Sequence, residues 1–343
     1  MTVSPTLMLQ ETEQAASVVA AMLKDQKPVF EEIAAVFASR KPALISTCAR
    51  GSSDHAATFF KYLAEIRLGL PVAAIGPSVA SVYDAPLQLG SAVHFTVSQS
   101  GASPDIVAMQ RAAKKGGAVT VAVVNVTDSP LGNEADIVLG IGAGPEKSVA
   151  ATKSFIASAA ALAGVIAAVS KDSTMQGGLD QLPDALGAVQ VDAGNALENI
   201  LAEKQSLFIG GRGPSMAIAL EAALKAKETS AIHAEAFSLA ELMHGPMRLV
   251  EEGFPIVSFL PRDEAFDTNM QALKRLHSFG ASIVSLSDAE TPGFRLPSAS
   301  TGNAHLDPLV SLINYYRVIE AVTRRKGFDP DKPRNLNKVT VTV

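Results

Sequence analysis

The feature that most constrains this chain is a scheme that it uses twice. LISTCARGSS (44–53) passes from a β-rich run through small residues to Arg-Gly-Ser and into a helix. SLFIGGRGPS (206–215) repeats it, with Arg50 and Arg212 162 residues apart. Duplication of a whole α/β domain is the economical reading. Short, nearly continuous apolar runs at 43–48, 72–75, 93–98, 118–124 and 137–141 read as strands, as do the start of 206–215, 255–260 and 282–287. Alternating with helical stretches, such runs indicate a parallel sheet with helices on both faces. Ligands of such sheets lie beyond the strands' carboxyl ends, where the 50–54 and 98–103 loops fall.

The expected organisation is two helices split by Pro28 within 1–40, a first domain at 41–175, a connecting segment at 176–203, a second domain at 204–327 and a tail at 328–343. Within the connector region, 175–183 is polar and glycine-containing, and a helix is expected over about 186–202. Hydrophobic residues make up 48% and charged residues 18%, which is globular rather than disordered. A net charge of −5 without a Lys/Arg run argues against a nucleic-acid partner. The single cysteine, Cys48, allows no intrachain disulfide, and residues 1–14 lack a basic-then-apolar leader, so a cytoplasmic location is expected. The Ala-rich run 155–169 is short for a bilayer and is expected to be a core helix rather than a membrane contact.

SQSGASPD (98–105) sits between a strand's carboxyl end and a helix's amino end, with Ser103 placed to cap the helix and Pro104 in its first turn. Free backbone N–H groups and the helix dipole favour an anion there. Ser98, Gln99, Ser100 and Ser103 add neutral donors, and Gly101 lets the backbone approach closely. An ordinary α/β connection, itself rich in Ser and Gly, is the competing reading.

A second stretch exceeds what a plain fold requires. A helix over 215–229 places Glu221, Lys225 and Glu228 on one face, and His244-Gly245-Pro246 follows downstream. A carboxylate beside an ammonium and an imidazole suits proton transfer between adjacent carbons. The same residues read equally as a solvated ion-pair face, worth about 0.3–0.5 kcal/mol per pair, followed by a helix stop.

Four motifs carry a family resemblance over residues 30 to 343: SQSGAS (98–103), VAATKSF (149–155), ALKAKETSAIHAEAFSLAELMHGP (223–246) and PRNLNKVTVTV (333–343). Together and in this order they resemble the isomerase half of glucosamine-6-phosphate synthase, a pair of flavodoxin-like SIS domains. The resemblance implies that Ser98, Gln99, Ser100 and Ser103, with Ser52 and Ser53 nearby, bind the phosphate of a sugar. It implies that Glu228 moves a proton between C1 and C2 and that Lys225 assists it. His244 matches the ring-opening residue, which in the family reaches a neighbouring subunit's site, so a homodimer with a shared active site is implied. Lys338, on the carboxyl tail, matches a lysine near the carbonyl end, and the backbone at Val149 lines the sugar.

Arg50 stands where the synthase has cysteine, Ala102 where it has glutamate and Ala151 where it has serine. Too few residues precede the first strand for a glutaminase with its cysteine nucleophile, so chemistry with free ammonia is expected. The chain is in this respect similar to glucosamine-6-phosphate deaminases built on SIS domains, acting on a phosphorylated amino sugar. The alternatives are another amino- or fructosamine-phosphate, a plain aldose–ketose isomerisation, or a sugar-phosphate-sensing regulator. No cofactor is expected: the six histidines show no metal-ligand spacing, and no nucleotide-binding glycine motif is present.

Overall fold

A computed structural model describes residues 5–188 and 194–338. Three helices, α1 (Leu7–Glu13), α2 (Ala15–Asp25) and α3 (Lys27–Arg40), lead into β1 (Leu44–Cys48), α4 (Ser52–Leu68), β2 (Val72–Ala74) and the short α5 (Ser78–Ser81). Then come β3 (Ala92–Ser98), α6 (Pro104–Lys115), β4 (Val119–Val124), α7 (Pro130–Glu134), β5 (Ile137–Gly140) and α8 (Lys153–Ser170). Helices α9 (Ser173–Gly187) and α10 (Gly194–Ala202) precede β6 (Ser206–Gly211), α11 (Pro214–Ser230), β7 (His233–Ser238) and α12 (Leu239–Leu242). A 3-10 turn at Gly245–Leu249, β8 (Pro255–Phe259), α13 (Phe266–Ser278), β9 (Ser282–Leu286), β10 (Phe294–Leu296) and α14 (Asp307–Arg325) follow.

Both sheets have five strands and all their pairings are parallel. The first runs β2-β1-β3-β4-β5 and the second β7-β6-β8-β9-β10, so each has the flavodoxin-like order 2-1-3-4-5. The registers repeat too: Ile45 faces Val72 and Ser46 faces His94 in one sheet, while Leu207 faces Ala234 and Phe208 faces Ile256 in the other, again 162 residues apart. Duplication is thereby established at the level of hydrogen-bonded pairs.

The chain divides into two compact units. One comprises Ser17–Glu146 with Lys153–Leu179 and holds the first sheet. The other holds the second sheet, with the N-terminal helix α1 and the segment Lys147–Thr152 attached to it. In the first unit, α8 packs against α3 and α4, and every residue from Lys153 to Ala167 is buried. Its 18 residues are enough for a bilayer by length and composition, so the shortness expected from sequence does not hold. Burial in protein is what marks it as a core helix. Its small side chains serve close packing: a methyl at Gly164 would lie 2.7 Å from the Phe30 ring.

The polar stretch 175–183, read as a connector, is instead part of α9. Met175, Leu179, Leu182 and Leu186 form a buried stripe at helical spacing that outweighs the glycines and Pro183. The helix expected over 186–202 is α10 in its second part, and residues 189–193 lie outside the described ones.

In the second unit α1 is fastened at its amino end by a distant residue. The N–H groups of Leu7 and Met8 donate to the two Asp331 carboxylate oxygens at 2.7 and 2.8 Å, and the Thr6 hydroxyl donates to Glu320 at 2.8 Å. Asp331 thus satisfies helix N–H groups that have no partner within the helix.

Candidate active site

In the first unit the strand order reverses between β1 and β3, which is where a doubly wound sheet opens a crevice. The chain leaves β1 through Ala49 and Arg50 to Gly51, whose φ of 55° and ψ of −135° only glycine adopts freely. Ser52 and Ser53 are the first two residues of α4. From β3 the chain enters the 98–103 loop. Ser98 Oγ accepts from the Gly101 N–H at 3.1 Å, and Leu131 N–H donates to the Gly101 carbonyl at 3.0 Å. Gly101 has φ +63°, and a Cβ there would lie 2.1 Å from Ser129 Oγ, so the loop can close only on glycine.

Ser103 holds the N-cap position of α6 with Pro104 behind it, but its hydroxyl makes no capping bond. The side chain expected to cap the helix is therefore not used for that purpose. Ser98, Gln99, Ser100, Ser103, Ser52 and Ser53 are all part-exposed and belong to this one unit.

Beside the loop lies a charged pair that the motif reading did not join. Asp105, with 1% of its side chain exposed, accepts from Arg50 Nε at 2.7 Å and lies 2.5 Å from Arg50 Nη2; its other oxygen accepts from the Ile106 N–H at 2.9 Å. Burial, reinforced by the Asp105 and Asp54 carboxylates, pushes the Cys48 thiol up to about 12. Burial also raises the Asp54 carboxyl, against the opposing pull of His55.

The second unit carries the residues expected from sequence to do acid/base work. Lys225 is fully buried on α11, its ammonium 2.6 Å from Glu228 Oε2 and 3.3 Å from Glu221 Oε1. The face that sequence left open to a solvated reading is therefore an interior one. Burial works against the Lys225 charge, but Glu221 and Glu228 outweigh it and hold its pKa above the ordinary lysine value. Glu221 is also buried and accepts from the Tyr316 hydroxyl on α14 at 3.2 Å. Glu228 keeps 22% of its side chain exposed, so of the three it is the one that can meet a substrate. Glu221 was visible as the residue one turn before Lys225; Tyr316 lies 95 residues downstream of it and had no local signal.

His244 is exposed at the N-cap of the 3-10 turn that follows α12. Lys338 is half-buried in the segment past α14; the rest of the expected tail, 339–343, lies outside the described residues. Val149 is part-exposed in the segment Lys147–Thr152, which belongs to this unit together with Lys225 and Glu228. That segment is gripped by Glu11 of α1. Its buried carboxylate accepts from the Lys147 N–H, from the Ser148 N–H at 3.2 Å and from the Ser148 hydroxyl. Nothing in the sequence joined Glu11 to a segment 137 residues away.

Two doubly wound domains, an anion-suited loop at one switch point and a buried lysine–carboxylate set on the other domain define a duplicated α/β protein with acid/base potential. The SIS domain family model matches residues 40–168 and 200–292. The glutamine–fructose-6-phosphate aminotransferase of Thermococcus kodakarensis is 34% identical over 355 residues, covering 99% of this chain and 58% of its own length. The chain thus spans little more than half of that relative. A solved structure from Silicibacter pomeroyi, provisionally named a phosphosugar isomerase, is 41% identical, with a TM-score of 0.90 over 95% of this chain and 100% of its own. The C-terminal domain of the Francisella tularensis glucosamine-fructose-6-phosphate aminotransferase superposes with a TM-score of 0.83 at 26% identity, over 97% and 99% of the two chains. The chain belongs to the SIS-domain family, among its phosphosugar isomerase enzymes.

Proposed function

We propose that this enzyme is an amino-sugar-phosphate deaminase/isomerase, converting glucosamine 6-phosphate and water to fructose 6-phosphate and ammonia. The observation that carries the reading is the Lys225–Glu228 pair: a carboxylate with access to solvent, backed at 2.6 Å by a buried ammonium. Such a group can accept a carbon-bound proton and return it to the neighbouring carbon.

In the proposed course the sugar phosphate is taken by the 98–103 loop and His244 transfers the protons that open the pyranose ring. His244 comes from a second copy of the chain, so the active form is a homodimer. Glu228 removes the proton from C2 and delivers it to C1 through an enolamine, which leaves a ketose imine. Water adds at C2, the C–N bond breaks, and ammonia departs with the proton needed to neutralise it. Lys225, 2.6 Å from Oε2, orients the Glu228 carboxylate, while Lys338 and the backbone at Val149 hold the carbonyl end and the sugar.

Nitrogen enters or leaves as free ammonia in this reading, without glutamine. Within these two domains Cys48 is buried with its thiol raised to about 12, so it offers no amide-cleaving nucleophile here. The test is incubation with glucosamine 6-phosphate, measuring ammonia and fructose 6-phosphate together. Equal release of the two is expected. Ketose without ammonia from an unaminated aldose phosphate, and no turnover of the amine, points to plain isomerisation instead.

A further inference from the structure

We propose that Arg50 is a ligand of the substrate phosphate, a charged donor added to a loop of otherwise neutral ones and held there by Asp105. The inference deepens the reading above and rests on the 98–103 loop being the phosphate site.

Asp105 raises an electrostatic difficulty. It is the second residue of α6, its carboxylate is buried, and it sits at the helix end where an anion would dock. A buried negative charge there works against the attraction of phosphate to the helix end. Arg50 removes the conflict. Its Nε and Nη2 both lie on one Asp105 oxygen, at 2.7 and 2.5 Å, which cancels the charge and fixes the plane of the guanidinium. Half of the Arg50 side chain, 49%, stays exposed, and Nη1 takes no partner among the described residues. A planar fork with donors to spare, oriented by a buried carboxylate, matches the geometry of phosphate oxygens.

The other half of the molecule gives an internal control. Arg212 occupies the position equivalent to Arg50, but its Nη1 donates to Thr268 Oγ1 at 3.0 Å. The loop that follows β8 there is Leu260-Pro261-Arg262-Asp263-Glu264-Ala265, with two carboxylates where the first loop has Gly101 and Ala102. The arginine is set against the helix-end aspartate in the half that has the neutral donors.

A guanidinium ligand favours the phosphate dianion, so affinity is expected to rise between pH 5 and 7 as the second phosphate proton, with a pKa of about 6, is lost. The experiment is calorimetric titration of the full chain with glucosamine 6-phosphate and with inorganic phosphate. It compares wild type with R50Q/D105N, which removes both charges together, and with S100A/S103A, which tests the loop alone. R50Q/D105N is expected to bind both ligands about 10- to 100-fold more weakly, as for loss of a charged hydrogen bond, with flatter salt and pH dependence. Weakening by S100A/S103A with R50Q/D105N unchanged overturns the role of Arg50 and leaves the loop reading standing. If neither variant weakens binding, the loop reading falls and this proposal with it. Should R50Q/D105N not fold, R50K replaces it, because its single ammonium is occupied by Asp105; unchanged affinity in R50K also overturns the proposal.

Discussion

The two halves of this protein share a sheet order, a register and a glycine turn, yet they differ at the positions proposed to carry the chemistry. Stepping 162 residues from the first half to the second changes Phe59, Leu63 and Ile66 on α4 into Glu221, Lys225 and Glu228 on α11. The same step changes the neutral donors Ser98, Gln99, Ser100 and Ser103 into Leu260, Pro261, Arg262 and Ala265. Gly51 and Gly213, by contrast, keep φ near 55–59° and ψ at −135°. The turn geometry thus belongs to the fold, whereas each half has polar or charged side chains at these positions that the other lacks.

The sharpest way to break this division is Glu228→Gln. Turnover of glucosamine 6-phosphate is expected to drop by about 10²–10⁴-fold, while phosphate affinity stays at the wild-type value. Loss of both together, measured by steady-state assay and calorimetry, means that the halves do not divide the work in this way. Next in size is a change that makes the first loop resemble the second, Ala102→Glu, the counterpart of Glu264. Placing a carboxylate at the amino end of α6 is expected to weaken phosphate binding more than tenfold with little change in melting temperature, because residue 102 is exposed.

A third test uses a buried contrast. His94 and Ser46 in the first sheet correspond to Ile256 and Phe208 in the second. His94 Nδ1 lies 2.9 Å from Ser46 Oγ, and burial lowers its pKa from 6.5 to about 4. The folded protein therefore keeps this imidazole neutral while the unfolded chain protonates it below pH 6.5. Stability from this group is complete above pH 6.5 and is lost as pH falls toward 4, by about 2 kcal/mol at pH 5. Urea unfolding of wild type and His94→Leu at pH 7.5 and 5 checks it: the variant's pH dependence should be the shallower. Hydrogen exchange at pH 5 should rise first in the first sheet.

The smallest expected effect separates fold from function at the shared turn. Gly51→Ala and Gly213→Ala each force on an L-residue a backbone that only glycine adopts freely, at about 1–3 kcal/mol, read from the melting temperature. Only Gly51→Ala is expected also to raise KM for the phosphosugar, since it displaces Arg50, Ser52 and Ser53. Equal kinetic effects from the two would erase the asymmetry.

Much of this architecture was legible in the sequence because apolar β-runs and Arg-Gly turns are local signals. The edge strand β7 was not, since His233 and Glu235 point to solvent and break the apolar run. Helix α9 was hidden by Gly177, Gly178 and Pro183, although the leucine spacing around them was helical. For the candidate site, motif order singled out the serines and the Lys225–Glu228 pair, but spacing could not tell a buried pair from a solvated one. Burial of Lys225 depends on α14 lying across α11, a contact between segments about 90 residues apart. The Arg50–Asp105 and Glu11–Ser148 partnerships were invisible for the same reason: each joins residues that only tertiary packing brings together.

The capping of α1 by Asp331 has a mechanical consequence. That helix grips the 147–148 backbone through Glu11 while its own first turn is tied to the segment leading to Lys338. Fraying at the start of the described chain must therefore release its far end and the Val149 strip in one cooperative step. A bulky fusion placed immediately before Thr6 would be felt some three hundred residues later along the chain.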